Sequence, residues 1–590
     1  MKENSHLETL RHSTAHVLAS AVLELYPDAK LGIGPAIENG FYYDFELSEP
    51  LGAKDLKRIE ERMRKIIKEN HPFDKAVLSI DSAIERFESI GQVYKTELLH
   101  DLKIQGEKEI SLYHHGNFTD LCRGPHVDST GEIPKEGLKL ERIAGAYWKG
   151  NSANSQLQRI YGFLFETKVD LEEHLHFLEE AKKRDHKKLG KELDLFYIDE
   201  AVGKGLPLWT PKGTTIKHEL IRYVRELEKK YGYDHVETPF MGGEDLYKIS
   251  GHLEHYKENM YAPIDMDGEK FYLRPMACPH HIRLLQRKPL SYRDLPVRYA
   301  EVADYSRFEK SGELMGMIRV RKFQLTDGHL FVTPEQLKEE FKKVCEMIRE
   351  GMKKLGLEKN VFYRFSKRDP KNKTKYYDDD TLWNNAESLM KEALDEMKFP
   401  YTEAEDEAAF YGPKLDVQGR NINGKEDTLF TAQIDFLLPE KFNIVYTDKD
   451  GQEKRPVMIH RSTIGSLERI FAFLIEHYAG AFPLWLAPVQ IALIPVSEKF
   501  SEYANEVYSK MTQAGIRIEH MNSNESLGKR IREAEKQKIP LIAVVGEKEM
   551  ISQTLAIREH KQENSQEILF ENPIVSLDEC IAKISEAIKK

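Results

Sequence analysis

Apolar residues recur at helical spacing near the start of the chain. Leu7, Leu10, Thr14, Val17, Leu18, Ala21 and Leu25 fall on one stripe at about 100° per residue, so an amphipathic helix is predicted. His12 and His16 then project from roughly the opposite side. After Pro27 come glycines (Gly32, Gly34, Gly40) and the run Phe41–Tyr42–Tyr43–Asp44–Phe45, which predict turns and a strand. Ala53–Asn70 predicts a charged amphipathic helix. Val169–Glu192 is dense in Glu, Lys and His and contains no Pro, and predicts a helix linking two globular parts.

From Leu193 to Leu486 helical patterns (Thr214–Tyr231, Pro334–Leu355, Leu382–Lys398) mix with apolar runs such as Val457–His460. The order is no regular βαβ alternation, which favours an antiparallel α+β sheet. Beyond that the pattern alternates: strand Val489–Val496, helix Ser497–Gln513, strand Ile516–His520, helix Leu527–Lys538, strand Leu541–Val545. A strand Leu555–Glu559 and a helix Leu577–Lys589 close it. The expected fold class is α+β multidomain. Its parts are an α+β domain over 1–168, a linker helix over 169–192, an antiparallel-sheet domain over 193–486 and an α/β domain over 487–590.

Composition narrows the picture. At about 150 residues per domain, 590 residues make roughly four domains. With 40% hydrophobic and 31% charged residues the chain is core-forming rather than disordered. The longest apolar stretch, Phe482–Val496, is broken by Pro483, Pro488, Gln490 and Pro495, so no membrane span is expected. The first ten residues have neither a basic start nor an apolar signal core. Four cysteines exclude a disulfide scaffold, and a reduced, cytoplasmic protein is expected. A net charge of −11 argues against wholesale coating of nucleic acid but leaves room for a local basic patch.

Two small clusters carry chemistry. His12 and His16 are four apart and share a helix face, so both imidazoles can converge on one ion or substrate. Ser13 stands where a zinc protease would need Glu. Cys122 and His126 are also four apart, across a Gly124–Pro125 turn. Together they make a four-group nitrogen and sulfur set.

The strings Arg11–His–Ser–Thr–Ala–His16, Leu121–Cys–Arg–Gly–Pro–His126 and Ile143–Ala–Gly–Ala–Tyr–Trp148 resemble the editing domain shared by threonyl- and alanyl-tRNA synthetases. Arg274–Pro–Met–Ala–Cys–Pro–His–His281, Ser291–Tyr–Arg–Asp–Leu–Pro296, Arg319–Val–Arg321, Phe410–Tyr–Gly–Pro–Lys414, Ile459–His–Arg461, Gly465–Ser–Leu–Glu–Arg469 and Trp485–Leu–Ala–Pro488 resemble the threonyl-tRNA synthetase family, in its order and over the whole chain. Bacterial members commonly begin with a ubiquitin-like (TGS) module. Here the editing helix starts by about residue 5, so that module is expected to be missing.

The resemblance implies a class II core with three motifs. Motif 1 would be Thr214–Tyr231 with a strand ending at Pro239, a dimer element; motif 2 would run Tyr299–Phe323, and motif 3 Ile459–Tyr478. Arg307 would grip the α-phosphate and the amino-acid carboxylate, Glu309 the adenine edge, and Arg319 and Arg469 the triphosphate, with Mg²⁺ on ATP. Cys278, His329 and His460 match the family's Zn²⁺ ligands, one ion per subunit. Asp327 would accept from the threonine hydroxyl, and Tyr411, Lys414, Gln433 and Ser466 would complete the substrate and phosphate contacts. His12, His16, Cys122 and His126, assisted by Lys95 and Asp120, would form the editing site, expected here without a metal although alanyl-type relatives hold zinc with such a set. Glu549 and Arg558 match readers of anticodon bases in a C-terminal anticodon-binding domain. Ala277, Leu325 and Thr428 depart from the usual Asn, Gln and Trp-Gln.

The implied activity is a homodimeric ligase acting on L-threonine, ATP and tRNA(Thr), with hydrolysis of Ser-tRNA(Thr). The alternatives are a stand-alone Ser-tRNA(Thr) deacylase and a non-catalytic RNA-binding paralogue.

Overall fold

The computed structural model describes residues 6–151, 153–560 and 569–589, arranged as two compact units, Met1–Glu180 and Ala181–Lys590. No described helix is long and apolar enough to cross a membrane.

In the first unit the helix His6–Leu25 packs on an antiparallel sheet in which Gly40–Glu46 pairs with Gln156–Leu164, and that strand with Leu138–Tyr147. One apolar stripe was expected on this helix, with the histidines on a solvated side. Instead Leu10, Arg11 and every residue from Ser13 to Val22 are buried. The helix is covered on most sides, so His16 sits at 3% exposure. Polar residues survive there because they are bonded: Thr14 donates to the Leu10 carbonyl at 2.7 Å. A second sheet joins Asp74–Ser79, Glu109–His115 and Phe118–Leu121, and ends just before Cys122.

The single linker helix expected over 169–192 is two helices, Lys168–Arg184 and His186–Glu192. Asp185 breaks them and caps the second, its side chain accepting from the Lys187 N–H at 2.7 Å. The second helix is no solvated linker. It buries His186 and Leu189, and Leu189 joins the main core of the larger unit.

The larger unit is built on an eight-stranded sheet. Its order is Asp234–His235, Val297–Ser306, Lys322–Val332, Val457–Ser466, Glu426–Asp435, Lys414–Arg420, Val361–Ser366 and Thr402–Ala404. The inner pairings are antiparallel and the two edge pairings parallel. The helix Pro211–Lys230 starts three residues earlier than expected, because Thr210 accepts from the Gly213 N–H and Pro211 is preorganised for a first turn. Residues 491–589 add a five-stranded sheet that is parallel between Ile518–His520, Ile491–Pro495 and Leu541–Val545, then antiparallel to Thr554–Glu559 and Ile574–Ser576. The short strand Ile574–Ser576 and the helix Glu547–Ser552 carried too little periodicity to be predicted.

Two candidate active sites

One row of paired residues crosses six strands of the large sheet. Tyr299 pairs with His329, His329 with His460, His460 with Gln433, Gln433 with Lys414 and Lys414 with Ser366. Paired residues share a face, so residues more than 160 positions apart are brought to one surface. Asp327 lies two residues before His329 and so on that face, and Cys278 reaches it from the first position of the helix Cys278–Leu285.

The ligand atoms of Cys278, His329 and His460 lie within 4.8 Å of one another. Each imidazole is fixed by its other nitrogen. His329 Nδ1 meets His281 Nδ1 at 2.8 Å, and His281 Nε2 meets Glu301 at 2.9 Å. His460 Nε2 meets Asp435 at 2.8 Å. That leaves His329 Nε2 and His460 Nδ1 for a metal, held as oriented ligands are. Burial pushes the His329 pKa well below its usual value and the Cys278 thiol well above, aided by Asp327 and Asp435. Two imidazoles and one sulfur, with no fourth protein donor in the cluster among the described residues, suit a zinc ion with open positions.

Arg307 directly follows the strand Val297–Ser306. Its Nε donates to the Pro275 carbonyl at 3.4 Å, and its guanidinium lies over Phe323 and Tyr256, 5.1 and 5.7 Å from their centroids. Arg469 sits in the first turn of the helix Leu467–His477, which Ser466 caps by accepting the Arg469 N–H at 3.2 Å. Its Nε donates to Ile318 O at 3.1 Å and one Nη to Thr428 O. Thr428 thus contributes a backbone carbonyl. Glu309 and Arg319 approach to 3.9 Å. Tyr411 donates to Gln433 and its ring lies 5.4 Å from that of His460. Lys414 pairs with Asp416 at 2.9 Å.

In the first unit the ligand atoms of His12, His16, Cys122 and His126 also lie within 4.8 Å of one another. Cys122 Sγ is 3.2 Å from both His12 Nε2 and His126 Nε2, and accepts the Gly124 N–H at 3.3 Å. His12 Nδ1 faces the Pro125 carbonyl at 3.1 Å and so carries the proton, which leaves Nε2 to accept from the thiol. Gly124 has φ +74°, and a Cβ there would run into the Tyr113 ring. Burial lowers the pKa of His12, His16 and His126 and raises the Cys122 thiol to about 11. The set therefore holds neutral rings and a protonated thiol, arranged to orient water rather than to attack as a thiolate. Asp120 pairs with Lys95 at 2.7 Å and accepts from Tyr43, and His16 Nδ1 makes no hydrogen bond among the described residues. A cavity of about 400 Å³ borders Cys122, lined by Leu98, Leu102, Ile110, Ser111 and Arg123.

Arg558 is exposed on its strand, directly after the buried Ile557, whereas the Glu549 carboxylate caps a helix by accepting the Gly546 N–H at 2.9 Å. Among the described residues no hydrogen bond or ion pair joins the two. Tyr43, His281, Glu301, Tyr305 and Asp435 were not foreseen as site residues. His281 stood inside a motif string, Glu301 and Tyr305 inside the motif 2 span and Tyr43 inside an aromatic run, all without an assigned role, while the signal for Asp435 is its place in the sheet.

Three family profiles match the chain. They are "tRNA synthetase class II core domain (G, H, P, S and T)" over 256–478, "Anticodon binding domain" over 490–586 and "Threonyl and Alanyl tRNA synthetase second additional domain" over 110–161. Threonine–tRNA ligase of Anoxybacillus flavithermus is 50% identical over 585 residues, 99% of this chain and 89% of that protein. The ligase of Halalkalibacterium halodurans is 49% identical over 587 residues, with the same coverage. Among solved structures, the RNA binding domain of threonyl-tRNA synthetase from Cryptosporidium parvum matches 68% of this chain and 98% of its own, at TM-score 0.62 and 33% identity.

Proposed function

The chain belongs to the threonyl-tRNA synthetase family, and from that premise we propose how its residues divide the work. Its activity is that of an ATP-dependent threonine–tRNA ligase acting on tRNA(Thr), with an editing domain that clears Ser-tRNA(Thr).

In the core, Arg307 binds the α-phosphate and the amino-acid carboxylate. Its Nη groups carry no hydrogen bond among the described residues, and a planar fork suits both anions. Arg469 keeps one Nη for the γ-phosphate, Arg319 meets the triphosphate, Glu309 faces adenine, and Lys414 adds positive charge near the phosphates, with Mg²⁺ accompanying ATP. Cys278, His329 and His460 hold Zn²⁺, one ion per subunit, which when bound offers positions for the threonine amino group and β-hydroxyl. Asp327 accepts from that hydroxyl, while Tyr411, Gln433 and Ser466 wall the pocket. Valine would leave Asp327 without this further donor and is rejected.

Serine keeps the hydroxyl and lacks one methyl, which is worth only about 10–200-fold. A second site that admits serine closes the gap. His12, His16, Cys122 and His126 position the 3′ end and a water without a metal, and the buried Lys95–Asp120 pair stiffens their floor. Glu549 and Arg558 read anticodon bases through hydrogen bonds to exposed base edges. A homodimer fits the apolar side chains that the larger unit leaves exposed, Phe240 at 57% and Met266 at 62%. Four free thiols and a tRNA substrate fit a cytoplasmic location.

The observation that carries the reading is the retained Cys278/His329/His460 set on the same sheet as Arg307 and Arg469. ATP–pyrophosphate exchange by the purified chain tests it. Threonine-dependent exchange is expected; its absence would favour a deacylase or an RNA-binding paralogue.

A further inference from the structure

The buried phenol of Tyr305 has no part in the reading above, yet it reaches the residue on which threonine recognition depends. Tyr305 lies on the strand Val297–Ser306, paired with Phe323, on the same sheet face as Asp327. It is 2% exposed. Its oxygen accepts the Ala277 N–H at 3.0 Å. An amide nitrogen can only donate, so the phenol proton must go elsewhere, and Asp327 Oδ2 takes it. The other Asp327 oxygen accepts the Gly328 N–H at 2.9 Å. The carboxylate is clamped between a phenol and an amide, with lone pairs left over for a further donor.

No other side chain among the described residues donates a hydrogen bond to Asp327; His329 Nε2 stands off at 3.8 Å. Around the phenol, Ala277, Ala303, Val320 and Phe323 form an apolar cluster with Met276 and Leu325 against it. Neither the Ala277 nor the Leu325 side chain carries a polar atom that could bond Asp327. Water has little access to compete for the carboxylate.

We propose that Tyr305 is a specificity-determining positioning residue. By fixing Asp327 as an acceptor, it sets the preference for an amino acid bearing a β-hydroxyl over an isostere that lacks one. This rests on the synthetase reading of the core. A held acceptor in a dry pocket penalises the analogue that leaves it unpaired, whereas a carboxylate free to turn finds another partner.

The test is Tyr305→Phe, with kcat/KM in ATP–pyrophosphate exchange measured for threonine and for valine. The threonine-to-valine ratio should fall about tenfold or more. The change should enter through the threonine KM rather than the ATP KM, with zinc per chain unaltered. Both rates come from one preparation, so an unfolded fraction cancels from the ratio. Val320→Ala loosens the same cluster and leaves the hydroxyl, and should keep the parental ratio. An unchanged ratio in Tyr305→Phe, or an equal fall in Val320→Ala, would overturn the proposal. Absence of threonine-dependent exchange in the unsubstituted chain would instead remove the reading beneath it.

Discussion

Single residues carry the chemistry because burial sets their protonation. His12, His16 and His126 are held neutral by burial, while the same rings in an unfolded chain titrate near 6.5. The unfolded chain therefore binds more protons than the folded one below that pH. The stability these rings contribute is complete above about pH 6.5, begins to fall below it, and goes on being lost as the pH falls toward their lowered folded values. The midpoint of thermal unfolding of the editing unit's transition should drop between about pH 7.5 and about pH 5.5. His126→Gln should flatten that drop, and an equal drop in the variant would contradict the account. In the core, Cys278→Ala should abolish threonine-dependent exchange and lower bound zinc. A variant that keeps both the metal and the exchange would remove Cys278 from the ligand set.

At the scale of elements, what could be read in advance was what depends on local periodicity. The helix Leu577–Lys589 lies where the pattern placed it because it has one buried and one exposed side, and the strand Leu541–Val545 because it is a short, continuous apolar run buried on both faces. The helix His6–Leu25 was misread as one-sided because its polar residues bury by bonding, which hydropathy does not show. The linker was misread because a lone Asp185 gave the only sign of a break. The cluster of Cys278, His329 and His460 was beyond spacing altogether: the three meet only through strand pairing and one helix start. Motif resemblance singled them out; Glu301 and Tyr305 lay within the motif 2 span without a role, and Asp435 was not singled out. The cap at Ser466 gives an element-level prediction. Its hydroxyl holds the first turn that carries Arg469. Ser466→Ala should cost about 1 kcal/mol of stability and raise the ATP KM, read by denaturant melts and exchange kinetics. A raised ATP KM without any loss of stability would mean that Ser466 acts as a ligand contact rather than as a cap.

At the scale of the whole molecule, the two clusters lie in separate compact units, with the proposed editing set inside Met1–Glu180 and the proposed activation set inside Ala181–Lys590. Sedimentation of the active enzyme should give twice the 68.4 kDa of the chain. A fully active monomer would refute the dimer. The measurement that reaches the central claim most directly follows the fate of serine. The variant His12→Ala with Cys122→Ala is supplied with serine, ATP and tRNA(Thr), and charged tRNA is followed over time. Charging with threonine should stay near the parental rate, and Ser-tRNA(Thr) should accumulate, with serine rejected only on the order of 10–200-fold. Ser-tRNA(Thr) cleared at the parental rate would show that the His12/His16/Cys122/His126 cluster is not the editing site.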